Sequence, residues 1–400
     1  MNVELPHKTL PMTELTSSEK LLERARILAP LLRERSANSE KLRRVPEETI
    51  ADYKRLGLIR ATQPARFGGA EAGWDTLCNV SQILAAACGS QAWIQRIMSD
   101  HSQMVATFPV EAQEDVWAKD HDALISASFD PTGRAERVDG GYRLSGRHGF
   151  SSGIDYASWL ICGGYIVDGD KKDGPHFFLV PKSDVTVIDD WHTMGLAGTG
   201  SKSFEVKNAF VPQHRFLDGK LAQQGAGPGT AVNKALVYRI PRSSGITTSG
   251  FTALAVGMAR GVLAEWLTTT AGRKSRGAVV ADRQTTQEIL ARSSGEIDAA
   301  EALYMASLKN SARQLERGEK IMPLDRATSK RNMSMASQLC LKAGTRLFNA
   351  AGGRALFLDD PMQRQYRNLL GAASHHGLVW ETAAVEYGSL VLKESMSASA

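Results

Sequence analysis

The sequence predicts an α+β protein: a helical N-terminal unit, a compact antiparallel β unit and a C-terminal helical bundle. Three observations carry that prediction. Apolar residues recur at steps of three and four before residue 121 and again beyond 226. Between 122 and 225 the period falls to two, and Gly, Asp and Pro interrupt it every few residues. The order helix, β, helix makes the β unit an insertion between helical units that pack on each other. With 400 residues, 42% hydrophobic and 23% charged, the chain can fill a large core shared among the three.

Residues 1–16 form a tail with no long apolar run, so no export signal is expected. In the helical domain, 17–121, Ser17 or Ser18 caps a helix with Leu21, Leu22, Ala25, Leu28 and Leu32 on one face. Pro46 opens a second helix through Ile50, Tyr53 and Leu56, and Gly57 ends it. Trp74–Cys88 and Gln91–Thr107 follow with a break at Gly89-Ser90, and Pro109 opens a shorter helix through Val116 and Trp117. In the β domain, 122–225, Asp139-Gly140-Gly141 turns the chain between Arg134–Val138 and Tyr142–Ser145. Trp159–Val167, Phe177–Val180, Val185–Ile188 and Phe204–Val206 read as further short strands. The stretch QQGAGPGT at 223–230 is the expected hinge to the bundle, 226–400. There, Ile297, Ala300, Tyr304, Leu308, Ser311 and Leu315 form one core stripe, and Met333, Ala336, Cys340, Ala343 and Leu347 another.

Several function classes lack support. Lys plus Arg exceed Asp plus Glu by 5 (48 against 43), too small an excess to call for nucleic acid. Four cysteines lie far apart with no CxxC, which fits buried free thiols and a cytoplasmic location. The most apolar stretch, Ile246–Leu267, carries Arg260, Glu265 and several Gly and hydroxyl residues, so a buried helix is expected rather than a membrane span. No GxGxxG follows a strand, and GxxxxGK[ST], GxSxG and HExxH are absent. Adjacent His375-His376 would point about 100° apart on a helix, a poor metal pair, so no metal is expected.

Three segments remain. Leu144–Gly153 ends a strand in a small-residue turn, and period two puts Tyr142, Leu144, His148, Phe150 and Ser152 on one face. An aromatic, an imidazole and a hydroxyl so placed suit the wall of a flat cofactor, although an ordinary hairpin end would read the same. The second segment is WHTMGLAGTGS, 191–201; the third is AGGRA at 351–355 with PMQRQYRN at 361–368 and SHHG at 374–377. Glycines between helices let a backbone approach a ligand closely.

Together these segments resemble the acyl-CoA dehydrogenase fold over about residues 17–395. Within it they are most similar to the flavin-dependent monooxygenases that serve as oxygenase components of two-component systems, such as p-hydroxyphenylacetate hydroxylase and the secosteroid phenol hydroxylase. The shared pieces are GSQAW at 89–93 with His101, GGYRLSGR with FSSG, GLAGTGS, and PMQRQYRN followed by His. The resemblance implies a four-helix C-terminal bundle, reduced flavin (FADH2 or FMNH2) delivered by a separate flavin reductase, and O2 as co-substrate. It implies a C4a-hydroperoxide that hydroxylates a phenol- or indole-type substrate, with N- or S-oxygenation open on the same scaffold. It also implies a homo-oligomer, as a tetramer.

One position separates the branches of this fold. Many acyl-CoA dehydrogenases resemble R-D-x7-E-G-T here, with the Glu as base. Counting from Arg367, the Glu position falls on His376 and the Gly on Gly377, and no acid lies between Arg367 and Glu381. In the monooxygenases a His stands eight residues after the Arg, which is His375. His375 is therefore the first candidate to hold the peroxide's proton and His376 the second; a histidine pair at a helix start also suits capping alone.

By the same resemblance Ser152 meets flavin N5, with Phe150 and Ser151 as further cofactor contacts. His101 and Ser128 face the substrate hydroxyl. Ser126 shares the strand face of Ser128, and His101 at a helix end also suits the helix dipole. Arg273, or Arg276 in its place, resembles a flavin phosphate ligand, and Gly352 and Gly353 resemble a backbone contact made by a neighbouring subunit. Trp93, His148, Arg239 and Arg242 are expected in the substrate pocket; many relatives carry Trp where His148 stands. Asn368 replaces the usual Asp, which removes an ion pair. Two rival readings remain: an acyl-CoA dehydrogenase using Glu265 or Glu381, and a non-catalytic helical scaffold.

Overall fold

The computed structural model describes residues 18–275 and 277–398. The expected tail, the cap at Ser17 and Arg276 lie outside them.

Helix α1 (Ser18–Glu34) buries Leu21, Ala25, Leu28 and Leu32, the stripe its spacing dictates. A short α2 (Ser36–Leu42), unexpected because it buries only Ser39, leads to α3 (Glu47–Arg55). Then come α4 (Trp74–Ala85), α5 (Gly89–Val105) and α6 (Val110–Trp117). Helix α5 is buried on almost every side, so its polar residues must find partners inside. Gln91 Nε2 donates to Leu32 O at 2.8 Å and Gln95 Nε2 to Leu58 O at 2.7 Å.

Seven strands follow: β1 (Ile125–Val138), β2 (Gly141–Ser151), β3 (Trp159–Asp168), β4 (Lys171–Pro181), β5 (Val185–Ile188), β6 (Lys202–Pro212) and β7 (Phe216–Leu217). They form one sheet in the order β5-β6-β2-β1-β3-β4-β7. Every pairing is antiparallel except β1 with β3, so the sheet is mixed rather than purely antiparallel. The reason is topological. A hairpin puts β2 on one side of β1, and the chain then crosses back to start β3 beside the start of β1, Ile125 opposite Trp159. The first residues of β1 are buried without alternation because both faces are covered. Ile125 and Ala127 pack with Phe108 and Trp117, while Ala135 joins Tyr142, Leu144 and Phe204 in a separate cluster.

After α7 (Gly219–Gln224), the expected hinge is packed rather than free: Gly229 N donates to Thr107 O at 3.0 Å. A Cβ on Gly229 would stand 2.2 Å from Ala106 O. The bundle consists of α8 (Ser249–Ala271), α9 (Gln284–Glu316), α10 (Pro323–Ala351), α11 (Pro361–Ala373) and α12 (Trp380–Ala398), with a small hairpin, β8 (Lys274–Ser275) and β9 (Ala278–Val279), after α8. Helix α10 packs against α8, α9, α11 and α12. Both predicted stripes face inward, Leu315 alone being only partly covered. The segment Ile246–Ala271 is long and apolar enough to cross a membrane, but 72% of its most apolar window is buried inside the fold. All four cysteines are free and buried.

Candidate active site

Helix α5 from Trp93 onward, the start of β1, the end of β2, the 191–201 loop, the segment entering α8 and the turn after α11 enclose a cavity of about 730 Å³. Its bend is made at the end of β2. Phe150 and Gly153 have φ of +56° and +72°, and the register with β6 shifts between His148 and Ser151. This bulge breaks the alternation expected from the sequence. Phe150 swings out to the cavity mouth, 73% exposed and edge-on to Trp191 at 5.9 Å. Ser151 turns inward, where its Oγ lies 2.7 Å from Ser126 Oγ, behind the cavity wall.

Ser152 lies on the wall at the end of a directed chain of hydroxyls. Trp93 Nε1 donates to Ser152 Oγ at 3.2 Å, and Ser152, Ser201 and Thr199 follow at 2.8 and 2.6 Å. Thr199 Oγ1 donates to Leu196 O at 2.8 Å. Each hydroxyl has one proton, so the terminal carbonyl and the indole N–H set the direction throughout. Ser152 Oγ keeps one lone pair without a partner among these bonds, and Ser152 lines the cavity. The loop bearing Thr199 and Ser201 is held from α11: Asn368 Oδ1 accepts from Leu196 N at 2.7 Å, and Arg367 bonds Met194 O. Asn368 thus has a backbone partner instead of an ion pair.

Gly153 shows how narrow the turn is. A Cβ there would stand 2.3 Å from Met98 Cε, on a backbone that L side chains avoid. Left-handed strain and overpacking together cost about 2–4 kcal/mol. Gly153→Ala is therefore expected to lower the melting temperature by several degrees, which calorimetry checks.

Two imidazoles enter the cavity with fixed and opposite tautomers. His101 Nδ1 lies 2.8 Å from Ile125 O; a carbonyl only accepts, so Nδ1 carries the proton and Nε2 is the acceptor. His375 is the reverse: Gly377 N–H donates to its Nδ1 at 3.1 Å, so Nε2 carries the proton. Phe251 stacks on His375 at 3.7 Å, and Trp93 lies 5.9 Å away. Burial pulls the pKa of His101 down to about 4, helped by Arg242 against the Ile125 carbonyl. Burial, with His376 nearby, pulls His375 down to about 3. His376 also lines the cavity but is exposed. Ser128 lines it beside Phe129.

Arg242 closes the His101 end. Its guanidinium covers Phe129 at 4.4 Å, and His101 meets the same ring edge-on at 5.5 Å. Asp100, bound to Arg96 Nε at 2.9 Å, lines the same end, and burial pushes its carboxyl up to about 6.

Six expected site residues lie elsewhere. Ser151 is behind the wall. His148 belongs to the sheet core, stacked on Phe204 at 4.9 Å and bonded to Thr132 Oγ1 at 3.0 Å, because the bulge separates its face from that of Ser152. Arg239 is exposed at the end of a single turn and does not reach the cavity. Arg273 donates to Ala350 O at 3.0 Å and to Ala351 O, capping α10 beside Gly352 and Gly353. Those three form a cluster of their own at the end of the bundle. Neither Glu265, paired with Arg33 at 3.7 Å, nor exposed Glu381 lines the cavity; among the described residues its acids are Asp100 and Asp130.

The sequence reading did not single out Phe251, Thr247, Thr248 or Asp100, and noted Trp191 only within its motif. Asp100 had a signal, a charge next to His101 on a helix otherwise buried. Phe251 had none, since an apolar helix offers many equivalent residues.

Three neutral histidines, His101 and His148 buried and His375 half-buried, shape stability. His101 and His148 are held near about 4 and His375 near about 3, all below the unfolded value of about 6.5. The unfolded chain binds their protons first, so the stability they allow is present above pH 6.5 and lost as pH falls toward 4. Asp100, raised to about 6, works oppositely: its contribution is lost as pH rises through 6. Three groups outweigh one. Melting temperature is expected to fall steadily from about pH 6.5 to 4, and melts across that range check it.

An aromatic-walled cavity lined by two imidazoles, set between a mixed sheet and a helical bundle, is the arrangement expected of a flavin-dependent enzyme of acyl-CoA dehydrogenase architecture. Residues 23–121 match the acyl-CoA dehydrogenase N-terminal domain and 249–380 the acyl-CoA dehydrogenase C-terminal domain. The chain belongs to the oxygenase components of flavin-dependent monooxygenases built on that fold. It is 34% identical over 385 residues to the oxygenase component of the FADH(2)-dependent resorcinol hydroxylase of Rhizobium sp. (strain MTP-10005), covering 93% of this chain and 94% of that one. The solved structure of the HsaA monooxygenase from M. tuberculosis superposes with a TM-score of 0.89 at 32% identity, covering 94% of this chain and 98% of that one. XiaF from Streptomyces sp., solved with FADH2 and glycerol, gives a TM-score of 0.88 at 25% identity and covers 96% of both chains. The chain is therefore a monooxygenase that uses reduced flavin and O2, with a flavin reductase as its partner.

Proposed function

We propose that the enzyme hydroxylates a phenol-type ring held between His101 and His375. The observation that carries this is the pair of neutral imidazoles, one presenting a bare Nε2 and the other an Nε2–H to one cavity.

The residues fit a reduced flavin. The free lone pair on Ser152 suits an N–H donor such as N5–H of the reduced ring, and Phe150 and Trp191 offer flat apolar surface at the mouth. When bound, reduced flavin supplies the electrons that split O2, one oxygen going to the ring and the other to water. His101 Nε2 accepts the substrate's hydroxyl proton as the ring becomes nucleophilic, and Ser128 Oγ orients that hydroxyl. His375 Nε2–H donates to the oxygen that leaves. Trp93, Phe251 and Arg242 exclude water from the reacting end, with Arg242 as substrate wall. His376, exposed beside His375, is a secondary donor.

Arg273, Gly352 and Gly353 stand outside this cavity, so we assign them to the phosphate end of the flavin bound by a second copy. Beside them Leu356, Phe357 and Leu358 are 70%, 59% and 80% exposed, an apolar strip suited to burial by that copy. The strip supports a homo-oligomer; that it is a tetramer, that the three structural units divide near 121 and 225, and that the enzyme works in the cytoplasm are parts of the same proposal.

The test is a coupled assay with a generic flavin reductase, run with FMN and with FAD on a panel of phenols and indole. A hydroxylated phenol accompanied by little hydrogen peroxide is expected. Peroxide alone with every ring, or reduction of bound flavin by an acyl-CoA, would overturn the reading.

A further inference from the structure

The relay of hydroxyls behind Ser152 has a fixed direction. Ser152, Ser201 and Thr199 have one hydroxyl proton each to give. Thr199 gives its own to Leu196 O at 2.8 Å, so at the 2.6 Å contact Ser201 is the donor. Ser201 is then spent, and at 2.8 Å Ser152 donates to it. Trp93 Nε1–H, which can only donate, fills one lone pair of Ser152 Oγ at 3.2 Å. Ser152 lines the cavity with no proton left and one lone pair, so it can meet a ligand only as an acceptor.

The far end of the relay is held from outside it. Leu196 O also accepts from Thr199 N at 3.0 Å and from Trp191 Nε1 at 3.1 Å. Leu196 N donates to Asn368 Oδ1 on α11 at 2.7 Å. Reversing the relay requires Thr199 to release that carbonyl. A separate pair of hydroxyls holds the Ser152 backbone: Ser126 Oγ donates to Ser152 O at 2.8 Å, and Ser151 Oγ, 2.7 Å from Ser126 Oγ, donates to Ser126. Ser152 is therefore placed by one set of bonds and given its polarity by another.

Reduced and oxidised flavin differ at N5. The reduced ring carries a hydrogen there; the oxidised ring carries a bare lone pair. An acceptor-only hydroxyl bonds the first and sets lone pair against lone pair with the second. We propose that Ser201 and Thr199 are positioning residues that make the site select reduced over oxidised flavin, by leaving Ser152 no proton to give. This rests on the reading that sets the flavin against Ser152. Such selection lets the enzyme take reduced flavin from the reductase and release the oxidised form after turnover.

The test is anaerobic titration of the full chain with FMN and with FAD, each oxidised and photoreduced, read as the flavin left free after ultrafiltration. The wild type is expected to hold the reduced form about tenfold tighter or more. For a two-electron couple, each tenfold raises the midpoint potential of bound flavin by about 30 mV. Ser201→Ala frees the Ser152 proton; it is expected to tighten oxidised flavin about tenfold and to leave reduced flavin within about threefold. Thr199→Val, of nearly the same shape, is expected to shift the ratio in the same direction and serves if Ser201→Ala folds poorly. A merely structural role would weaken both forms, as Ser126→Ala is expected to do by loosening Ser152 O. A wild type without preference overturns the proposal, as does a preference that survives in both relay variants. Ser152→Ala separates the two readings: if it alters the binding of neither form, the flavin does not meet Ser152, and the proposal falls with that placement rather than through the relay.

Discussion

Replacing His375 by alanine is expected to cut product formation by about a hundredfold or more while O2 consumption continues as hydrogen peroxide. Gly377 N–H occupies Nδ1, so Nε2 must carry the ring's proton, and Phe251 stacked at 3.7 Å holds the imidazole in place. Burial keeps the ring neutral down to about pH 3, so in the proposed mechanism it is a hydrogen-bond donor rather than a cation. Without it the leaving oxygen has no oriented donor and the cavity admits water. His375→Gln keeps an N–H and should recover part of the coupling. His376→Ala, changing an exposed neighbour, should alter coupling less than threefold, as a rough bound for one rim group. The ratio of hydroxylated product to peroxide reads all three variants.

His101→Ala is expected to lower kcat/KM for phenols by about a hundredfold with flavin affinity unchanged, because in the proposed mechanism the loss is that of a base at the substrate's hydroxyl. The defect should shrink for phenols that are stronger acids, whose proton leaves without help. A merely structural role would affect every phenol alike. In the wild type, His101 is unprotonated above about 4, so kcat/KM should stay level from pH 8 to 6 and fall on an acid limb near 4 rather than near 6.5. A smaller inflection near 6 would report Asp100 and should vanish in Asp100→Asn.

Much of the fold was legible because periodicity reports burial directly. Leu21, Ala25, Leu28 and Leu32 on α1, and Met333 through Leu347 on α10, face the core as their spacing requires. The parallel pairing of β1 with β3 was not legible, since a turn signal fixes a hairpin but says nothing of where a longer connection returns. At the site, sequence order brought His101, Ser128, Ser152 and His375 into one list, and the fold brings them to one cavity. His148 was misplaced by simple alternation, which assumes an unbroken ladder; the bulge and the positive φ of Phe150 invert the face one residue before Ser152. Arg239 and Arg242 looked equivalent in VYRIPR, yet Arg239 is exposed at the end of one short turn while half-buried Arg242, at the start of the next, lines the cavity. Phe251 could not be singled out, because its role comes from what packs on it.

In the proposed reaction this cavity transfers one atom of dioxygen to an aromatic ring. Supplying heavy-isotope dioxygen with a reductase, flavin and a phenol, then weighing the product, tests it most directly. One heavy oxygen atom per hydroxylated ring is predicted, with none taken from solvent. Product oxygen drawn from water, or a flavin that is reduced by an acyl-CoA and leaves the ring untouched, would contradict it.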